Sequence, residues 1–270
     1  MKLKKYLKHL LDKKKSLIAF NIQDTNHLQP LSKACSKLKK KVICQFSKRY
    51  FLYLDKSVNF PKLINFYKNK NIFFFLDHCD DIEVIKKCLQ YNFDGVMYDG
   101  SKKKLEINIS KTNKISKLTK KNNSLLEAEI GPIHGSEDGF KSAKKKLKKD
   151  ELINFIKKAN FDLLAIGAGN THGLYSKINI DEDLYSIATS QSKKIKLVFH
   201  GGSGVNSSFL KKIQKNNIVK INISSSLKKE MNKLYLSFSK KNNTFDIIEF
   251  NKYIENNLIN FFCHYMKIYS

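Results

Sequence analysis

The chain of 270 residues has no tryptophan, three prolines, eleven glycines and one arginine, Arg49. So little glycine and proline excludes a collagen-like or low-complexity chain. Five cysteines (Cys35, Cys44, Cys79, Cys88, Cys263) are odd in number and form no C-x-x-C pair. No disulfide framework is implied, and reduced thiols in a cytosol-like compartment are expected. No run approaches the ~18 uninterrupted apolar residues of a membrane span. Charged residues interrupt the start MKLKKYLKHLLDKKK too often for a secretory signal. Acidic residues are scarce as well, 24 against 51 Lys and Arg, for a formal charge of +27. Alone, that excess would point to nucleic acid or an anionic membrane surface. The near-absence of arginine argues otherwise, because readers of phosphate and base edges favour the bidentate guanidinium. Lysine is spread over the whole chain, as a nucleotide bias toward lysine codons would produce, and a positive field attracts phosphorylated substrates whatever its origin.

Eight short apolar runs rich in β-branched and aromatic residues are present: SLIAFNI from Ser16, VICQF from Val42, IFFFL from Ile72, GVMYD from Gly95, LLEAEI from Leu125, LLAIG from Leu163, KLVFH from Lys196 and VKINI from Val219. Runs that are apolar throughout are typical of strands covered on both faces. Between them lie lysine-laced segments with helical spacing of apolar residues, such as IEVIKKCLQYN after Asp81 and FLKKIQKNN after Ser208. Strand and helix alternating at roughly 30 residues per unit fit a closed (β/α)8 TIM barrel better than an open sheet. One α/β domain over residues 1–270 is expected, ending in closing amphipathic helices.

Polar residues stand at the C-terminal ends of the runs: Asn21, Ser47, Asp77 with His78, Asp99, Glu129, His172 just beyond the sixth run, His200 and Asn222. That is the catalytic rim of such a barrel, although any one of them alone would read as a loop residue or helix cap. His78, His172 and His200 fall at separate strand ends, and three imidazoles around an open position describe a catalytic zinc site. Their separation in sequence leaves the set without a local ligand motif. His9 and His264 belong to terminal helices, His27 follows the first strand, and His134 lies in a loop. Asp77 and His78 adjoin on one strand, so their side chains are expected to diverge, one toward metal and one toward substrate.

Glu127 and Glu129 share one strand face, and an inward pair needs a cation or hydrogen bonds to compensate. An outward, solvated pair is the alternative, fairer for Glu127 than for Glu129. Glu137 and Asp138 lie in the glycine-flanked loop GPIHGSEDGF, able to carry a carboxylate over a bound substrate. In FHGGSG, Gly201, Gly202 and Gly204 let backbone N–H groups approach an anion and Ser203 adds a hydroxyl. With KINISSS at 220–226, they supply the loops after strands seven and eight, where barrels place phosphates.

In order along the chain, FLDHC (75–79), GVMYDGS (95–101), EAEIG with a following GSEDG (127–139), GNTHGLY (169–175), VFHGGSG (198–204) and KINIS (220–224) resemble the class II, metal-dependent fructose-1,6-bisphosphate aldolases and their tagatose-bisphosphate relatives. The resemblance implies that His78, His172 and His200 ligate zinc, with Glu129 a nearby or alternate ligand. It implies Asp77 as general acid/base at the substrate's C4 oxygen, and Glu137 as the group exchanging the proton on dihydroxyacetone phosphate. Asn222 would hold the substrate near the reacting carbons. Gly173, Gly201, Gly202, Ser203, Ser224 and Ser225 would surround the first phosphate, with Ser47 close by and a monovalent cation beside it. A homodimer is implied too.

Three departures stand out. Lys48, Arg49 and Tyr50 follow Ser47 where the family has glycine or small residues, and Ser224 stands where Asp or Asn is usual. Ile248 occupies the position of an arginine that binds the second phosphate, which makes Arg49 a candidate for that task. The expected reaction is cleavage of fructose 1,6-bisphosphate in glycolysis and gluconeogenesis. The alternatives are tagatose-bisphosphate cleavage and a degenerate barrel with a basic nucleic-acid-binding surface.

Overall fold

The computed structural model describes residues 2–68, 70–137, 140–141, 146–173, 180–241 and 245–269, with side chains left out at 134–137, 140–141, 172, 241 and 269. Eight parallel strands close a barrel: β1 Leu17–Asn21, β2 Val42–Ser47, β3 Ile72–Cys79, β4 Gly95–Tyr98, β5 Leu125–Ile130, β8 Leu163–Ile166, β10 Leu197–Phe199 and β11 Ile218–Ile223. Each is one of the eight apolar runs. Their order is β1-β2-β3-β4-β5-β8-β10-β11, and β11 pairs back onto β1 in parallel.

The runs are apolar throughout because both faces are covered. Outward residues pack under helices: Phe20 of β1 meets Phe262 of helix Ile247–Tyr269 edge-on at 4.8 Å. Inward residues, Ala19, Ile43, Phe75, Met97, Ala165 and Val198 among them, form a separate cluster with Leu3, Leu7 and Leu10. Those three leucines recur at i, i+4 and i+7 on helix Leu3–Asp12, the spacing of one helix face, and so plug the N-terminal end of the barrel. Gly95 makes room for this packing, since a Cβ there would lie 2.0 Å from the Phe75 ring.

Two residues further along several of these strands the interior turns polar. Asn21 follows Ala19, Gln45 follows Ile43, Asp77 follows Phe75, and Glu127 and Glu129 follow Leu125, all of them buried. The barrel thus has an apolar floor and a polar C-terminal mouth.

The segment expected as a loop with His134 in it has β structure instead. Beyond β5, His134–Glu137 forms β6, paired with Phe140–Lys141 (β7) and with Thr171–His172 (β9). Each ladder has two residue pairs, too short for a period-2 pattern to register in sequence. Asp138 lies outside the described residues. The closing part is helix Ser225–Lys241 followed by the one long helix Ile247–Tyr269.

Asp94, ahead of β4, accepts from the Phe74 N–H at 2.9 Å. Burial pushes its carboxyl up to about 6. A folded value above the unfolded one means the fold is favoured below about pH 4 and loses this contribution as pH rises through about 6. Asp94→Asn keeps an acceptor and removes the charge, so its Tm advantage over wild type is expected to grow by a few degrees, about 2–4 °C per kcal/mol, between pH 4.5 and pH 7.5. Thermal melts at both pH values check this, and a constant difference would contradict it.

Candidate active site

The pairing of β3 with β4 shifts register between Leu76 and Cys79. There His78 takes a left-handed backbone conformation, φ +41°, which costs an L side chain about 1–2 kcal/mol. Regular alternation would send Asp77 inward and His78 outward. The irregularity brings both to one place, which corrects the expected divergence. A carboxylate oxygen of Asp77 and ring nitrogens of His78 and His200 lie within 4.8 Å of one another.

Each of these groups is held by others. Asn21 Nδ2 donates to Asp77 Oδ2 at 2.7 Å and Asn222 Nδ2 donates to Asp77 Oδ1 at 3.2 Å, while Gln45 Nε2 donates to Asn21 Oδ1 at 2.5 Å. His78 Nδ1 lies 3.1 Å from Asp99 Oδ2 and His78 Nε2 lies 2.9 Å from His200 Nδ1. His200 Nε2 lies 2.8 Å from Glu127 Oε1, and Glu127 Oε2 accepts from Lys220 Nζ at 2.7 Å. An ionised carboxylate only accepts, so His200 donates from Nε2 and its Nδ1 accepts from His78.

The charges follow the same order. Burial alone would lower His78, but the charge of Asp77, the bond to Asp99 and the charge of Glu129 raise it well above the usual imidazole range. Burial lowers His200, against the bond to Glu127. Burial would raise Asp99, and the hydrogen bond from His78 holds it well below the usual carboxylate range. Burial and the neighbouring charge of Asp99 push Glu129 well up. Burial would also raise Glu127, but the Lys220 ammonium beside it brings it down to about 2.

This donor set fits a divalent metal ion. Two imidazoles, His78 and His200, converge beside the Asp77 carboxylate, and His78, Asp99 and Glu129, one imidazole and two carboxylates, form a second group within 4.8 Å. Glu129 Oε2 is buried without a hydrogen-bond partner, with His78 Nδ1 3.5 Å away, and a metal ion beside it would satisfy an acceptor that is otherwise unfilled. Ser47 Oγ, Asn222 Oδ1 and Ser224 Oγ are also buried without partners. Unpaired polar atoms gathered on one barrel rim are unused capacity for a polar ligand.

On the phosphate side, Gly201 has φ +78° and a Cβ there would lie 2.4 Å from the Thr171 carbonyl oxygen, so only glycine lets the chain leave β10 beneath β9. Ser203 Oγ accepts from the N–H groups of Ser224 and Ser226 at 3.2 and 3.1 Å. It therefore ties the GGSG turn, Gly202 included, to the first turn of helix Ser225–Lys241. His172 lies in β9 with its backbone opposite Gly135, and Gly173 follows with φ +121°. The side chains of His172 and Glu137 are outside the described residues.

Ser47, Asp77, His78, Glu129, His200, Asn222 and Ser224 thus meet at one mouth. Arg49 is exposed in the first turn of helix Lys48–Leu54, while Lys48 is bound to Asp80 at 2.9 Å and Asp81 at 3.6 Å. Ile248 is exposed at the start of helix Ile247–Tyr269. Glu127 is fully buried, which excludes the outward, solvated alternative. Sequence reasoning missed Gln45 and Lys220 and gave Asp99 no role beyond the rim. The available signal was phase: Gln45 and Lys220 are lone polar residues within apolar runs, Lys220 two before Asn222.

The family model described as Fructose-bisphosphate aldolase class-II matches residues 1–270. The chain belongs to the class II fructose-bisphosphate aldolase family. It is 35% identical over 133 residues to the 6-phospho-5-dehydro-2-deoxy-D-gluconate aldolase of Halalkalibacterium halodurans, covering 48% of this chain and 45% of the relative. The matched part is thus about half the length of that relative. It is 28% identical over 227 residues to the fructose-bisphosphate aldolase of Ureaplasma parvum, covering 82% of this chain and 77% of the relative. The crystal structure of a putative fructose-1,6-biphosphate aldolase from Coccidioides immitis superposes with a TM-score of 0.89 over 99% of this chain and 96% of that one, at 19% identity. That likeness establishes the shared barrel fold.

Calorimetric titration of chelator-treated protein with Zn2+ or Co2+ is expected to show about one ion bound per chain, and His200→Ala to weaken binding by more than about tenfold. His134→Ala should bind as wild type. Wild-type protein that takes up no divalent ion would remove this cluster as a metal centre.

Proposed function

We propose that the chain is a zinc-dependent aldolase that reversibly cleaves fructose 1,6-bisphosphate to dihydroxyacetone phosphate and glyceraldehyde 3-phosphate, a step of glycolysis and gluconeogenesis, acting in the cytoplasm as a homodimer. The observation that carries this reading is the convergence of Asp77, His78 and His200 within 4.8 Å, beside buried unpartnered atoms of Ser47, Glu129, Asn222 and Ser224. A divalent ion bound there supplies a Lewis acid for the negative charge that grows on the substrate's ketone oxygen.

His78, His200 and His172 would hold the ion, with Glu129 close by. Asp77, oriented through both oxygens by Asn21 and Asn222, takes the proton from the C4 hydroxyl as the carbon–carbon bond breaks and returns it in condensation. Glu137 exchanges the proton on dihydroxyacetone phosphate. Asn222 keeps the reacting carbons in place. The first phosphate sits against Gly173, Gly201, Gly202, Ser203, Ser224 and Ser225, at the start of a 17-residue helix whose dipole favours an anion there. Ser47 and a monovalent cation complete that subsite, and the chain's formal charge of +27 steers such anions inward.

A second reading follows from the relatives at 35% and 34% identity that are named 6-phospho-5-dehydro-2-deoxy-D-gluconate aldolases, together with Ile248 at the expected arginine position. A coupled cleavage assay with fructose 1,6-bisphosphate, tagatose 1,6-bisphosphate and that sugar-acid phosphate, with and without added zinc, decides among them. The fructose substrate should turn over fastest. Turnover of none, with salt-dependent nucleic-acid binding, would favour the degenerate-barrel alternative.

In Asp77→Ala, kcat should fall by roughly 10²–10⁴ while the metal stays bound. Glu137→Ala should instead slow proton exchange on dihydroxyacetone phosphate. Equal metal loss in both would make them ligands and contradict the assignment.

Arg49, exposed beside Ser47, can grip the far phosphate with two parallel hydrogen bonds. Arg49→Ala should raise KM for the bisphosphate and barely change it for a ketose phosphorylated only at C1. If both substrates respond alike, the far phosphate is held elsewhere.

A further inference from the structure

Among the described residues, Lys220 is the only lysine that is buried, and its partner Glu127 is equally inaccessible. Removing an ammonium and a carboxylate from water costs several kcal/mol per ion before their attraction is counted. A pair of hydrophobic residues would fill the same space more cheaply, so the pair needs a reason beyond stability. Its geometry supplies one. Lys220 Nζ donates to Glu127 Oε2 at 2.7 Å and lies 4.4 Å from the centroid of the Phe75 ring, which fixes it from the barrel floor. The other oxygen, Oε1, faces His200 Nε2 at 2.8 Å. An ammonium can only donate, so it holds one carboxylate oxygen and leaves the other turned toward the imidazole.

We propose that Glu127 and Lys220 act together as positioning residues, holding His200 with its proton on Nε2 so that Nδ1 is the atom presented to the metal. The proposal rests on the metal reading of the site. A neutral imidazole has one donor and one acceptor nitrogen, and the group bonded to the first decides which atom the ion meets. Glu127 supplies the acceptor and Lys220 supplies its orientation, with the apolar floor keeping water from competing.

The two residues make an asymmetric test possible. In Glu127→Gln the lysine takes the amide oxygen, because it cannot accept from the amide NH2. The NH2 then faces His200 Nε2, which has to accept, and the ring proton moves to Nδ1. Affinity for Zn2+ or Co2+, measured by competition with a chromophoric chelator, should fall about 10–100-fold. In the double variant Glu127→Gln/Lys220→Met the amide oxygen is free to turn back and accept from Nε2–H, and most of the affinity should return. A purely structural pair would give a double variant no better than the single one, and that result would overturn the proposal, as would wild-type affinity in Glu127→Gln.

A measurement on the unaltered chain guards against variants that fail to fold. In chelator-treated wild-type protein labelled with 15N-histidine, the His200 resonances, assigned by their loss in His200→Asn, should show the proton on Nε2, and a proton on Nδ1 would overturn the proposal. Wild-type protein with the Nε2 proton that takes up no divalent ion would overturn the metal reading and this role with it. Normal uptake by Glu127→Gln would overturn the positioning role alone.

Discussion

A line of charged and polar groups runs across the barrel interior, from Lys220 through Glu127, the neutral His200 and His78 to the part-buried Asp99, with contacts between 2.7 and 3.1 Å. The rest of the molecule serves to keep it satisfied. No member could stand in an apolar core alone, because an unpaired buried ion costs far more than a typical domain can spare. The ends are closed differently. Lys220 lies over the Phe75 ring, and Asp99 accepts from the backbone and hydroxyl of Ser101. Between them every strong donor meets an acceptor, which is what allows a polar row inside a closed barrel at all.

The apolar floor beneath is part of the same arrangement. Leu3, Leu7 and Leu10 close the N-terminal end against the inward strand residues, so an apolar layer separates the charged row from that end. A drier surround strengthens every charge–charge contact. It also sharpens the cost of the atoms without a hydrogen-bond partner, Glu129 Oε2, Asn222 Oδ1, Ser47 Oγ and Ser224 Oγ. Those atoms mark where a ligand's polar groups repay the desolvation.

Much of this was legible in the sequence, because period and position carry it. The eight apolar runs became the eight barrel strands, and Ser47, Asp77, Glu129 and Asn222 reached the mouth because inward residues recur every second position. What failed to read was whatever broke that period. The left-handed backbone at His78 has no composition signal, since glycine and asparagine, the usual occupants of that conformation, are absent there. Lys220 was hidden for another reason. In a chain with lysine everywhere, one more between apolar neighbours carries no contrast, and only its phase with Asn222 sets it apart. The β6 to β9 pairing joins residues 37 apart in sequence, His134 with Thr171 and Gly135 with His172, which no local pattern records.

Asp94 and Glu127 show what decides whether such a barrel tolerates a buried acid. Asp94 has a backbone N–H as partner, and burial wins, pushing it up to about 6. Glu127 is more deeply buried, yet it is held near 2, because Lys220 and His200 both lean on it. Their effects on stability therefore have opposite signs. The Glu127 contribution is present above about pH 4.5, the unfolded value, and is lost as pH falls toward 2, whereas that of Asp94 weakens as pH rises. The carboxylate that the site depends on is thus the one that stays charged throughout the neutral range, and it does so because a second charge was buried beside it.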